Sequence, residues 1–355
     1  MFCSKCGSQI PDGSRFCPAC GTQVMQPTAY QQPVQPPVQQ PVQPPEYPQG
    51  MYQEPLQKVQ AKVPWHSRGK RSPLYPGARR INVLFVTLLT VMQAVLFFIF
   101  AGIGDTVEAD MMTAQLVGLV PTVVLIVYLF NLDTIEKEPV SLLLKLFFVE
   151  GLLTMLIVAY VELAMESVAL VFLDEDTVLF HIVDNLLCVA LVEELFKFCV
   201  LKKFTWRHSA FNYRFDGVVY AAVTALGFAA FENFAYIDSY GFSVALTRMV
   251  SSVPGHCVDG ILMGIFYGKA KLMEGRGNHA GARKNLLFAL LAPIAEHGFY
   301  DFFANFGESD LAFLLFYGYV FILNAVVFVL VWRLAQRDEA IYAQEQMNTP
   351  VGAPF

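Results

Sequence analysis

Residues 178–201 read VLFHIVDNLLCVALVEELFKFCVL. As a helix this stretch reaches about 36 Å, enough to cross a hydrocarbon core of about 30 Å. It is largely apolar, yet its second half carries Glu193, Glu194 and Lys197. Ionisable side chains at membrane depth are costly; they face a bundle interior and mark functional sites. Glu193 precedes Lys197 by four residues and Glu194 precedes it by three. One ammonium can therefore neutralise either carboxylate on a single helix face. The stretch predicts a polytopic helical membrane protein with a polar interior.

Composition agrees. The 355-residue chain is 55% hydrophobic, 14% aromatic and only 15% charged, with 31 Phe. Its mean hydropathy is +0.47. A soluble domain averages about 25% charged residues. The fold class is all-α, with about eight transmembrane helices at roughly 81–103, 113–132, 142–164, 178–201, 216–238, 246–269, 285–306 and 310–333. Pro254 and Pro293 are expected to kink the sixth and seventh spans. Gly217, Gly227, Gly255, Gly260, Gly264 and Gly298 are expected to permit close helix approach.

Lys and Arg set the orientation. The segment before the first span is basic (HSRGKRSPLYPGARR, 66–80), and GDTVEADMM after it is acidic. The loops at 202–214 and 269–284 are strongly basic, whereas 239–245 and 307–309 carry no Lys or Arg. This alternation predicts an even number of spans in a cell membrane, with both termini cytoplasmic. The chain does not start with a charged region followed by an apolar core, so no signal peptide is expected. The net charge of −6 resides in loops and tails and says little about partners. Basic residues follow the spans instead of clustering with aromatics, so no nucleic-acid partner is expected.

Residues 1–25, MFCSKCGSQIPDGSRFCPACGTQVM, form a zinc-ribbon pattern. Cys3 and Cys6, then Cys17 and Cys20, make two CxxC turns that complete a four-thiolate tetrahedral site. No open ligand position is implied, so the zinc is structural, and so small a module depends on metal to fold. A reducing compartment also favours metal over disulfides. Cys188, Cys199 and Cys257 lie singly in apolar segments and read as packing residues. Residues 26–80 form a Pro- and Gln-rich disordered tether ending in the basic run. The membrane domain spans 81–335, and 336–355 is a cytosolic tail.

Other spans repeat the polar signature. The fifth carries GFAAFEN with Glu232, the sixth PGHCVDG with His256 and Asp259, the seventh APIAEHGFYDFF with Glu296, His297 and Asp301. His297 and Asp301 stand four residues apart, so the acid can hold the imidazole's tautomer or bind the reacting group itself. Counted from the cytosolic ends, Glu194 lies roughly 12 Å deep, His297 roughly 18 Å, His256 roughly 20 Å and Glu232 roughly 24 Å. Four helices thus bring acids and imidazoles to overlapping depths. Asp259 and Glu296 read as supporting groups and Lys197 as a charge-balancing partner. Glu150, Glu162, His181 and Asp184 receive no function.

Two chemistries use such a set. A buried carboxylate acts as general base toward water while an imidazole stabilises the oxyanion. Alternatively, two His and one Glu hold zinc with a position open for water. HExxH and GxSxG are absent, and no Ser or Thr in the spans pairs with a His as a nucleophile.

The order EExxK (Glu193 to Lys197), FxxxE (Phe228 to Glu232), His256 and HxxxD (His297 to Asp301), on four consecutive spans, resembles the PrsW family of intramembrane proteases. That family is itself distantly similar to the CAAX prenyl proteases. The resemblance covers roughly residues 81–335. It implies an endopeptidase that cuts a membrane-anchored regulator, typically an anti-sigma factor, on the non-cytosolic side. It also implies a catalytic set of Glu193, Glu194, Glu232, His256, His297 and Asp301. Glu193 or Glu194 would activate water, and His297 would assist or stabilise the oxyanion. Whether a second divalent metal joins this set is left open. The ribbon lies outside the family's pattern and suggests a regulatory partner or substrate capture. Competing readings are an ion- or proton-coupled transporter, against which no duplicated halves are seen, and an inactive protease-like sensor or scaffold.

Overall fold

The computed structural model describes residues 109–305 and 310–342, together with 8, 9, 14, 16–21, 91 and 95. The chain divides into two units, Met1–Gln53 and Glu54–Phe355. In the first, the Gly21 N–H donates to the Cys17 carbonyl at 2.9 Å, with Gly21 at φ 68°. A CxxC turn closed by glycine in the left-handed region fits this geometry, because glycine enters it without strain. Cys17 is buried and Cys20 exposed; Cys3 and Cys6 lie outside the described residues.

The second unit is helical. Helix α1 is Met111–Leu132. Helix α2 is Val140–Phe172, with a π-helical segment at Thr154–Val158. Helix α3 covers 178–205, with a π-helical segment at Asp184–Ala190. Helices α4 (Asp216–Tyr240), α5 (Phe242–Val250), α6 (Ser252–Gly275), α7 (His279–Asn305) and α8 (Asp310–Ala335) follow. Among the described residues, counting α5 and α6 together, six helical rods are long and apolar enough to cross a membrane. α3 is equally long but carries three acids and a lysine within its predicted span. The predicted first span lies outside the described residues, apart from the helical positions Val91 and Val95. The tether and most of the tail also fall outside them.

α4 is the central helix. Every residue from 215 to 230 is buried, as expected of a helix without a lipid- or water-facing side. α4 packs most extensively on α6 and also touches α1, α2 and α3. The outer helices turn apolar side chains outward, among them Val123, Phe148, Phe172 and Ile322. These are the surfaces a bilayer would cover.

Small residues set the α4–α6 spacing. A Cβ on Gly264 would run into the Val218 Cα and the Gly217 carbonyl. Gly227 meets the Phe147 backbone of α2 in the same way. Gly264→Ala is therefore expected to destabilise the bundle by about 1–3 kcal/mol, read as a lower unfolding midpoint in detergent. Gly255 does not serve as predicted, since only the Tyr300 ring lies near it, at 3.7 Å. Gly268, against the Arg214 carbonyl, does.

Two further expectations are corrected. Pro254 does not kink a helix. The sixth span breaks at Ser251 (φ −116°, ψ −71°), and Pro254 sits in the first turn of α6, where no backbone donor is lost. The basic stretch 269–284 is not a loop. α6 runs to Gly275 and α7 starts at His279. Lys271 stays in the helix by pairing with Glu274 at 3.0 Å and lying over the Trp206 ring, with its stem packed on apolar surface.

The 133–138 loop, the 206–215 loop, the α6–α7 turn and the 338–341 segment meet at one end of the bundle. Asn212 Nδ2 donates to Glu136 at 2.9 Å, Arg276 pairs with Glu339 at 2.9 Å, and Tyr213 bridges antiparallel to Ala340. These are the segments that the charge alternation predicts on one side of the membrane. Burial pushes the Asp133 carboxyl up to about 6 and raises Glu138 as well.

Candidate active site

The site is built on the second half of α3. Both its acids and its lysine point inward: Glu193 is 4% exposed, Glu194 0% and Lys197 0%. Lys197 Nζ lies 3.0 Å from Glu193 Oε2 and 2.6 Å from Glu194 Oε1. The i, i+3 and i, i+4 spacings are thus both used at once. The ammonium also stands 3.3 Å from His256 Nδ1 and 4.0 Å from the centre of the Phe228 ring, a cation–π placement.

α7 supplies His297 and Asp301. His297 Nδ1 lies 3.0 Å from Glu194 Oε1, and Nε2 lies 3.1 Å from Asp301 Oδ2 and 3.7 Å from Glu193 Oε2. The imidazole is therefore held between carboxylates of two helices. α6 supplies His256, whose Nε2 is 2.9 Å from Glu232 Oε2 on α4. The two imidazoles meet edge to face, with ring centres 5.2 Å apart. All six residues predicted as a site thus belong to one connected network. Asp259, 3.9 Å from His256 Nδ1, and Glu296, which accepts from Tyr319 at 2.9 Å, flank it.

Sequence reasoning passed over three contributors. Arg248 on α5 pairs with Glu232 at 2.6 Å and donates to Asn233 at 3.1 Å. Glu150 on α2 is fully buried, both its oxygens lack a hydrogen-bond partner among the described residues, and it lies within electrostatic reach of Lys197, Glu194 and Glu193. Glu162, also on α2, is within reach of Glu193 and Glu232. Each is a charge inside a span, the same signal that exposed the others, but none belongs to a local motif. The two π segments lie beside these acids. Asp184–Ala190 ends three residues before Glu193, and Thr154–Val158 begins four residues after Glu150. Such widened turns recur at functional sites.

The same residues fit a metal. One donor atom each from Glu193, Glu194, His256 and His297 lies within 4.8 Å of the others, and all four residues are buried. Carboxylate and imidazole donors suit zinc. Among the described residues, Glu194 Oε2 is buried without a hydrogen-bond partner, which leaves its lone pairs available. A positive charge already stands among these donors, in the Lys197 ammonium.

Fold and site together define a class: a helical membrane protein with an acid–imidazole centre inside its apolar bundle, the equipment of an intramembrane hydrolase. The profile of the PrsW family intramembrane metalloprotease matches residues 138–332, and that of a zinc-ribbon domain matches residues 2–24. Protease PrsW of Oceanobacillus iheyensis is 33% identical over 199 residues, covering 56% of this chain and 85% of the relative. Protease PrsW of Geobacillus kaustophilus is 31% identical over 184 residues, covering 52% and 76%. That of Clostridioides difficile is 28% identical over 223 residues, covering 62% and 87%. No solved structure is significantly similar. The chain belongs to the PrsW family of intramembrane metalloproteases and carries a zinc ribbon at its N-terminus.

Proposed function

We propose that this protease cuts a membrane-anchored regulatory protein of the anti-sigma-factor kind, with Glu194 as the base that activates water. The substrate class rests on the family resemblance, and the observation that carries the role of Glu194 is the state of its carboxylate. One oxygen is held by Lys197 and His297, at 2.6 Å and 3.0 Å, while Oε2 is buried with no partner. A water hydrogen-bonded to Oε2 gives up its proton there as its oxygen adds to the peptide carbonyl. His297, held between Glu194 and Asp301, assists the base and stabilises the developing oxyanion electrostatically. The proton then passes from Glu194 to the leaving amine. Glu193 and Lys197 balance charge around the base, and Glu232 with Arg248 fixes His256. With Glu194 kept as the base, Glu193, His256 and His297 would hold a zinc-type ion that would polarise the carbonyl and acidify the water.

The basic loops meeting at one end of the bundle support a topology with both termini cytosolic. In that topology the ribbon sits in the cytosol, bound to structural zinc through Cys3, Cys6, Cys17 and Cys20, and is available to a regulatory partner. Membership of a protease family counts against the transporter reading.

Cleavage of a purified single-span substrate tests the proposal. A chelator is expected to abolish cleavage and added zinc to restore it. A Cys17→Ser/Cys20→Ser form should respond identically, because the ribbon's zinc is separate. Cleavage that persists in chelator would leave glutamate-activated water without metal as the mechanism.

A further inference from the structure

A second group of buried acids lies at the loop end of the bundle, away from the cleavage site. Asp133 follows α1, Glu138 precedes α2 and Asp216 opens α4. They are 3%, 2% and 1% exposed, and one oxygen from each lies within 4.8 Å of the others. Part of the group is satisfied. Asp216 Oδ2 accepts from the backbone N–H groups of Asn212 at 2.9 Å and Tyr213 at 2.7 Å. Glu138 Oε2 accepts from the Tyr220 hydroxyl. Among the described residues, Asp133 Oδ2, Glu138 Oε1 and Asp216 Oδ1 have no hydrogen-bond partner.

A neutral neighbour shows the same deficit. Asn212 is 8% exposed and spends its side-chain donor on Glu136, and its Oδ1 is buried with no partner among the described residues. Every unpartnered polar atom of these four residues is thus an acceptor. Nearby cations do not supply what is missing. The Lys137 ammonium donates to the carbonyls of Phe130 and Asp133, and Arg214 lies 3.9 Å from Glu339. Burying several acceptors without donors is expensive. A hard divalent cation with oxygen ligands removes that cost.

We propose that Asp133, Glu138 and Asp216 bind a divalent cation of Mg2+ or Ca2+ chemistry that ties the ends of α1, α2 and α4 together. The site is chemically unlike the cleavage centre: it offers only oxygens, whereas the centre offers imidazoles. Bound there, the ion fixes the base of α4, the helix that carries Glu232 toward its other end.

Terbium(III) probes the site in the purified full-length protein, in a phosphate-free detergent. Tyr220, bonded to Glu138, is placed to sensitise its emission. Saturable emission under tyrosine excitation is expected, displaced by Mg2+ in one arm or Ca2+ in another. Glu138→Gln and Asp133→Asn should each weaken terbium binding at least tenfold, while Glu194→Gln leaves it unchanged. Thermal unfolding gives a second readout: the displacing cation should raise the midpoint of the wild type but not of Asp133→Asn. Absence of saturable emission would overturn the proposal and favour a proton shared between Glu138 and Asp216. Emission retained in both loop variants, or lost in Glu194→Gln alone, would place the ion elsewhere and overturn it equally.

Discussion

Glu194→Gln is expected to lower cleavage of a single-span substrate by about 10²- to 10⁴-fold, the usual contribution of a positioned general base. The amide is nearly isosteric and can still accept from Lys197 at the Oε1 position. The fold and the His297 contact should therefore survive, and the unfolding midpoint should move little. What disappears is a carboxylate able to take a proton. The expected signature is a fall in kcat with little change in KM. His297→Ala should be comparably damaging, because it removes the group facing both Glu194 and Asp301. Cleavage that survives both substitutions would remove this centre from the chemistry.

Lys197→Met carries the largest expected effect on stability. Lys197 holds together two buried carboxylates and borders an imidazole, with no exposed surface. Removing one partner from a buried ion pair costs about 3–5 kcal/mol, against a total stability of about 5–15 kcal/mol. The unfolding midpoint in detergent should fall by about 10 °C, and the yield of folded protein with it. Adding Glu193→Gln and Glu194→Gln to the same chain removes the uncompensated charges, so most of the lost stability should return while activity stays absent. A Lys197→Met protein as stable as the wild type would show that the ammonium is not the counter-ion.

The site was legible in the sequence wherever chemistry sat in a local motif. Glu193, Glu194 and Lys197 announce themselves by helical spacing, and so do His297 and Asp301. Glu232 and His256 could be added because their spans follow in order and their depths overlap. Glu150, Glu162 and Arg248 have no partner at helical spacing in a local motif, and only packing brings them to the centre. Span existence was equally readable from hydropathy, but span ends were not. Lys271 extends α6 past its apolar stretch because Glu274, one turn on, and the Trp206 ring take its charge. A break at Ser251 and two π segments leave no mark on a hydropathy profile, since they change backbone geometry and not composition.

The widened turn at Asp184–Ala190 has a consequence for how the helix bearing Glu193 and Glu194 can vary. A helix advances about 100° per residue, so one residue accommodated in a broad turn rotates everything after it by about that angle without ending the helix. In α3 the half bearing His181 and the half bearing Glu193 therefore keep independent azimuths. Losing a single residue between 184 and 190 would preserve span length, hydropathy and the EExxK motif, yet swing both glutamates away from His297. Among relatives, a one-residue gap at this place would carry more functional meaning than many substitutions.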